Sequence, residues 1–428
     1  MDKIRISLST YQLINLSTFA YLCLAIACFA KAGAIPLHSW IPDCASSASV
    51  PVTAFLPASL DKLLGIYLLA RISLNLFVMN PVMNMFLMLI GAVTILAAVM
   101  MALIQHNLKR LLGYHAVSQV GYMVLGIGTG NPIGVAGGLF HMLNNAIYKS
   151  CLFLGGGAVE EMTGTSELDK LGGLARYMPF TFFSFLIASL SISGVPPFNG
   201  FVSKWMIYQG LIQKFTSHQS PVTSILCLVA AMFGSALTLA SFMKLLHAVF
   251  LGQREEEKKE VREVSSFMWI PQIILALLCV VFGIFAYAVP LKYFIDPAVG
   301  GVKFIGIWIP GIATILIMLG MAAGFLIYLA GNWGKNVRRD APYIGTELIS
   351  AAYRPTGVDF YNTVRETGKL KWIYQKAEAG FFDLYEQGKK FIFSVSGVFQ
   401  FLHNGILPTY LVWCLLGMIG LFYTLLLR

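Results

Sequence analysis

The sequence predicts an all-α multi-pass membrane protein, and composition, run length and periodicity each lead there. Of the 428 residues, 57% are hydrophobic and 12% charged, with a mean hydropathy of +0.73. A soluble domain carries about 25% charged residues, so this chain has too few to cover a water-facing surface. The runs Val82–Ile104, Pro221–Phe250, Met268–Val289 and Phe304–Leu329 exceed the roughly 18 to 20 residues that span a bilayer core. They are continuous, whereas a membrane β-barrel shows short alternating segments.

About ten spanning helices follow along the chain, at 12–42, 51–77, 82–104, 112–128, 132–159, 179–212, 222–250, 268–289, 304–330 and 406–427. The first is interrupted by Gly33 and Pro36 just after Lys31. The second carries Asp61 and Lys62, the fourth His115 and Gln119, and the fifth His141, Asn145 and Lys149. The sixth breaks at Gly194-Val-Pro-Pro ahead of Lys204, and the seventh holds Lys244 near its end. Proline removes an amide donor and clashes with the preceding turn. Unwound backbone survives in a membrane only where protein buries it or it lines a cavity.

The stretch 331–405 differs in kind, being charged and aromatic. Phe381, Tyr385, Ile392, Val395, Phe399 and Leu402 fall at spacings that form one helical stripe. A lateral amphipathic helix along the membrane surface is expected here, reaching roughly 60 Å from Asp359 to Leu402 if continuous. Gly368, Gly380 and Gly388 mark expected breaks.

The formal net charge of +10 reflects topology rather than nucleic-acid binding, because most of the charge lies in short loops. With the N-terminus outside, the inner side collects Lys109, Arg110, Lys170, Arg176, Arg254, Lys258, Lys259, Arg262 and all ten lysines and arginines of 331–405. The C-terminus is then also outside. The seven cysteines form no C-x-x-C pair and no metal-ligand spacing, so neither metal nor any other cofactor is expected. The N-terminus shows no cleavage pattern of a signal peptide.

Lys31, Lys62, Lys149, Lys204 and Lys244 lie within spans. A lysine at the bilayer centre costs about 2.5–3.5 kcal/mol on insertion scales, and three explanations compete for that cost. A lysine near a helix end can snorkel to the interface, which suits Lys244. A lysine can pair with a carboxylate, for which Asp43 and Asp61 are available. Otherwise it lines a wet path as a titrating group, the reading favoured for Lys62, Lys149 and Lys204. His141, eight residues before Lys149, lies close to the same helical face. His38, His115, Gln119 and Asn145 could support such a path by titrating or by ordering water.

Four blocks carry a family resemblance: Lys31–Asp43 (KAGAIPLHSWIPD), Asn107–Tyr122 (NLKRLLGYHAVSQVGY), His141–Phe153 (HMLNNAIYKSCLF) and Gly194–Trp205 (GVPPFNGFVSKW). In this order and spacing they resemble the antiporter-like proton-pumping subunits of respiratory NADH dehydrogenase, membrane-bound hydrogenase and formate hydrogenlyase complexes, and Mrp cation/proton antiporters. Leu171-Gly-Gly-Leu-Ala-Arg and the lateral-helix segment resemble the hydrogenase branch best. The resemblance implies two inverted repeats, each with a broken helix bearing a lysine or glutamate. It assigns Lys31 to the first broken helix, Lys62 to the bridging helix, His141 and Lys149 to the central relay, and Lys204 to the terminal site. Asn145 stands where many members have histidine, and Gln119 where some do.

The organisation implied is the last two helices of an incomplete first repeat at 1–78 and a complete second repeat at 79–252. Additional helices follow at 253–330, then the lateral region at 331–405 and a terminal helix at 406–428. The resemblance further implies a non-redox, ion-translocating subunit, moving protons or exchanging them for sodium, in a prokaryotic plasma membrane. Its partners are redox subunits, lipid and other membrane chains. One such chain is expected to supply the remaining helices of the first repeat and a glutamate near Lys31. A secondary Mrp-type antiporter, or a scaffold that no longer pumps, are the alternatives.

Overall fold

The computed structural model describes residues 11–217, 221–252, 261–302, 310–333, 358 and 361–427. Among them the secondary structure is helical, apart from an isolated bridge between Asn107 and Glu167. Helix α1 (Tyr11–Ala32) is followed by a break and by α2 (Trp40–Ser47). A composite helix then runs through α3 (Val50–Phe55), a π-turn (Leu56–Leu60), α4 (Asp61–Arg71) and a second π-turn (Ile72–Leu76). Pro57, which has no amide hydrogen, lies within the first π-turn. Helices α5 (Pro81–Leu103), α6 (Leu108–Gly128) and α7 (Pro132–Thr163) follow, each N-capped by an asparagine: Asn80, Asn107 and Asn131.

The expected second break separates α8 (Pro179–Ser193) from α9 (Asn199–Thr216). Helix α10 (Pro221–Leu246) ends in a π-turn to Leu251, and α11 (Ser266–Ile284) precedes a π-helical stretch to Ile295 and the short α12 (Asp296–Val299). Helix α13 (Pro310–Trp333) is exposed along its apolar length.

Among the described residues six helices are long and apolar enough to cross a membrane: Val50–Leu76, Pro81–Leu103, Pro221–Leu251, Ser266–Ile284, Gly311–Gly331 and Leu407–Leu426. Helices α6, α7 and α9 are absent from that set although each has length enough. They carry the polar side chains of the site, and they are the most enclosed. Every residue of α6 except Arg110 is buried, so its polar groups find protein partners instead of lipid. Small residues bring these helices into near-backbone contact: a Cβ on Gly91 would lie 2.8 Å from the Gly121 carbonyl. Such close approach is how membrane helices gain packing energy without a hydrophobic drive between them.

Residues 1–371 and 372–428 form two units, each described by itself. In the second, Leu384–Leu402 (α16) is N-capped by Asp383, whose Oδ1 accepts from the amides of Tyr385 and Glu386. Leu407–Leu426 (α17) follows. Two shorter helices, Asn362–Glu366 (α14) and Gly368–Glu378 (α15), precede α16. The expected breaks at Gly368 and Gly380 are present, both with positive φ, whereas Gly388 lies inside α16. Phe381 precedes the helix, so the expected stripe is divided. Residues 334–357 and 359–360, the start of the lateral region, lie outside the described residues, as do Arg254, Lys258 and Lys259.

Candidate functional site

The second break positions Lys204. Helix α8 ends at Ser193 and is capped by Gly194 at φ +83°, a left-handed conformation that glycine adopts without a Cβ clash. The chain re-enters a helix at Asn199, whose Oδ1 accepts from Ser191 Oγ and whose carbonyl accepts from Asn144 Nδ2 at 2.9 Å. One turn later Lys204, 2% exposed, folds its side chain back to the end of α8. Its Nζ donates to the carbonyls of Ile192 at 2.9 Å and Ser193 at 3.4 Å. The last carbonyls of a helix have no intrahelical partner and form the negative end of its dipole. The ammonium is therefore held by backbone, with the Tyr122 ring 4.7 Å from Nζ.

His141, on α7, stands across from α9. Its Nδ1 lies 2.9 Å from Ser203 Oγ and its Nε2 3.0 Å from Gln119 Oε1, with the Tyr148 hydroxyl 3.3 Å from Nε2. Gln119 donates through Nε2 to Ser118 Oγ, which donates to the His115 carbonyl. This sequence of donors aims the Gln119 oxygen at His141. Neutral His141 then donates from Nε2 and accepts the Ser203 hydroxyl at Nδ1. Charged His141 donates from both nitrogens, and the Ser203 hydroxyl turns to the Gly200 carbonyl 3.1 Å away. Both protonation states are satisfied without moving a helix.

Lys149, two turns further along α7, donates to the Leu112 carbonyl at 2.8 Å and lies 5.8 Å and 5.9 Å from the Phe153 and Phe242 ring centres. On the face toward the composite helix, Asn145 Nδ2 donates to the Ala58 carbonyl at 3.1 Å and Ser150 Oγ to Ala54 at 2.9 Å. These bonds set an antiparallel register in which Lys62, one turn past Ala58, stands near the level of His141. Lys62 is 1% exposed, and its Nζ and Asn145 Oδ1 are both buried without a hydrogen-bond partner among the described residues. His115 bonds Ser241 Oγ through Nε2 at 2.7 Å and packs on Phe242.

Lys31 is not part of this buried group. It sits in the last turn of α1, two residues before Gly33 at φ +79°, and is exposed. Asp43 is engaged elsewhere, 3.4 Å from Arg110, and the Asp61 side chain lies outside the described residues. His38 is half-buried beside Tyr114. Lys244 is buried rather than extended into water, with Nζ bound to the Leu103 and Gln105 carbonyls at 2.6 Å and 3.0 Å. Lys214 makes the same kind of bond to the Thr129 carbonyl at 3.0 Å. Among the described residues no group of His, Cys, Asp or Glu side chains could hold a metal ion.

Sequence reasoning missed Ser203, Ser241 and Tyr122. Ser203 adjoins Lys204, and Tyr122 lies three residues after Gln119 on the same face of α6, so a search of faces around the titrating residues would have found both.

Residues 4–234 match the family model described as NADH:quinone oxidoreductase/Mrp antiporter, transmembrane. The chain belongs to this family. As an antiporter-like family member it is 34% identical over 301 residues to Na(+)/H(+) antiporter subunit A1 of Staphylococcus saprophyticus, covering 66% of this chain and 37% of that one. It is 33% identical over 272 residues to formate hydrogenlyase subunit 3 of Escherichia coli K12, covering 60% of this chain and 44% of that one. The chain thus spans less than half the length of these relatives. Among solved structures, a chain of the archaeal membrane-bound sulfane sulfur reductase superposes with a TM-score of 0.74 at 26% identity, covering 96% of this chain and 70% of the other. Antiporter-like family membership agrees with the resemblance read from the four sequence blocks.

Proposed function

We propose that this chain moves protons, alone or in exchange for sodium, as the non-redox membrane subunit of a redox-driven complex in a prokaryotic plasma membrane. The observation that carries the reading is the way Lys149, His141 and Lys204 are held inside the helix bundle. Carbonyls, a hydroxyl and aromatic faces partner these groups, and among the described residues no carboxylate does. A buried carboxylate would fix the ammonium as an ion pair that is costly to break. Neutral partners lower the cost of the charge and still allow the proton to leave. In this reading charge passes along Lys62, Lys149, His141 and Lys204, with His115, Gln119 and Asn145 supporting, and electron transfer in other subunits drives it.

Several features support the finer architecture. Both breaks place a positive-φ glycine three residues before a proline, Gly33 with Pro36 and Gly194 with Pro197, as expected of related repeats. Asp43–Arg110 and Lys109–Glu160 are ion pairs, and His106 hydrogen-bonds Asp169, at one end of the bundle, the end rich in basic loops. That end is the inner one, and about ten spans then place both termini outside. Lys31, exposed on an apolar helix, marks where a neighbouring membrane chain with a glutamate packs, with His38 and Asp61 beside the junction.

A second reading, a secondary cation/proton antiporter without redox partners, draws on the likeness to the Na(+)/H(+) antiporter subunit. Membrane vesicles containing the chain with its native neighbours separate the two. Respiratory substrate drives pumping in the first case, and an imposed pH gradient alone drives exchange in the second. Lys62→Ala and Lys204→Ala are each expected to abolish transport while leaving the complex assembled. Undiminished transport in an assembled variant removes that lysine from the path.

A further inference from the structure

Tyr122 has no assigned part in the line of titrating groups, yet it touches two of them. It is fully buried on α6. The Lys204 Nζ lies 4.7 Å from its ring centre, and the His141 ring lies 5.4 Å from it at an interplanar angle of 51°. The hydroxyl at the far end of the ring is anchored to α10. It donates to the Ala231 carbonyl at 2.7 Å and meets Ser235 Oγ at 2.8 Å, where the Tyr208 hydroxyl also arrives at 2.6 Å. Gly234 leaves room for this anchor, since a Cβ there would lie 3.2 Å from the Tyr122 hydroxyl and collide with Ile95.

We propose that Tyr122 is a positioning residue for transport, its ring held by α10 so that one π-face stabilises the charge at the Lys204 end of the path. The inference rests on the relay reading above and deepens it. The hydroxyl is committed to α10, so Tyr122 offers Lys204 its ring electrons. A ring face attracts a cation but cannot take its proton, so Tyr122 stabilises charge without intercepting the proton between His141 and Lys204. The α8 carbonyls hold the same ammonium from another side, and the bound charge is shared between a helix end and an aromatic face.

The test uses membrane vesicles containing the intact complex, with transport measured against pH. Tyr122→Phe keeps the ring and is expected to keep the pH of half-maximal transport. Tyr122→Leu removes the face, and that midpoint is expected to fall by about one unit, a tenfold change in proton affinity. Leucine also changes the packing, so phenylalanines with increasing fluorination incorporated at position 122 supply a series of nearly constant shape. Fluorine withdraws electron density from the ring face, and the midpoint is expected to fall stepwise with fluorine number. A midpoint constant across the fluorinated series, or unchanged in an assembled Tyr122→Leu complex, overturns the role of Tyr122 while Lys204→Ala still abolishes transport. Undiminished transport in Lys204→Ala overturns both the relay reading and this inference.

Discussion

The side-chain amide of Asn145 donates to the Ala58 carbonyl across 3.1 Å, joining the central helix α7 to the π-turn that leads into α4, the helix that carries Lys62. A π-turn widens the helix and offers carbonyls to outside donors. Here that widening lets α7 dock one turn away from a buried lysine. The other end of the same amide, Asn145 Oδ1, is buried without a partner among the described residues, as is Lys62 Nζ. Unpaired polar atoms in so dry a place are costly, and two of them beside one helix junction fit a site for water between Lys62 and Lys149.

Asparagine at position 145 cannot carry a proton, so its contribution is the bond to Ala58 and the hydration of the junction. Asn145→Leu is expected to slow transport on the order of tenfold or more, because the proton loses its polar bridge. Asn145→His restores a donor and adds a titrating group, and transport should be retained. Vesicle transport rates in assembled complexes test both, and equal rates in the leucine and native forms count against the bridge.

Gly194 carries two demands at once, a φ of +83° and a Lys204 Cδ that would lie 3.0 Å from any added Cβ. Gly194→Ala should cost about 1 kcal/mol from the left-handed backbone alone, and it should displace the Lys204 side chain. A lowered unfolding temperature together with reduced transport is the expected pair of results. Unaltered transport would show that Lys204 tolerates being moved from the end of α8.

Ser203 gives His141 a partner in either protonation state. Ser203→Ala leaves the imidazole Nδ1 buried with no partner, a cost of about 1–3 kcal/mol, and transport should slow without being lost. Ser203→Thr keeps the hydroxyl and should restore most of the rate. Transport in the two variants, compared at matched assembly, decides whether the hydroxyl or mere packing matters.

The break at Gly380 tests the proposal that the lateral region braces neighbouring subunits rather than driving them. Helix α15 ends at Glu378 and α16 starts at Leu384, so this part is jointed, and a jointed rod braces better than it pushes. A flexible insertion at Gly380 is expected to lower the fraction of assembled complex before it changes the ions moved per turnover. Coupling lost in a fully assembled complex would favour a piston instead.

Much of this protein was legible along the chain. Too few charges, long continuous apolar runs and glycine–proline interruptions determine a helical membrane protein with two broken helices, because a bilayer admits few other solutions. Most of the buried lysines and histidines were legible as well, since a lysine or histidine far from a span's end stands out against its apolar neighbours. Their partners were not. Carboxylates at Asp43 and Asp61 were the natural candidates by composition, yet Lys204, Lys149 and Lys244 bind backbone carbonyls, which every residue possesses and no sequence pattern marks. Only the packing of α9 on α8, of α7 on α6 and of α10 on α5 decides which carbonyl is left facing an ammonium. The same packing buries four of the five lysines placed within spans and leaves Lys31 outward, a difference that depends on which helices meet and not on hydropathy.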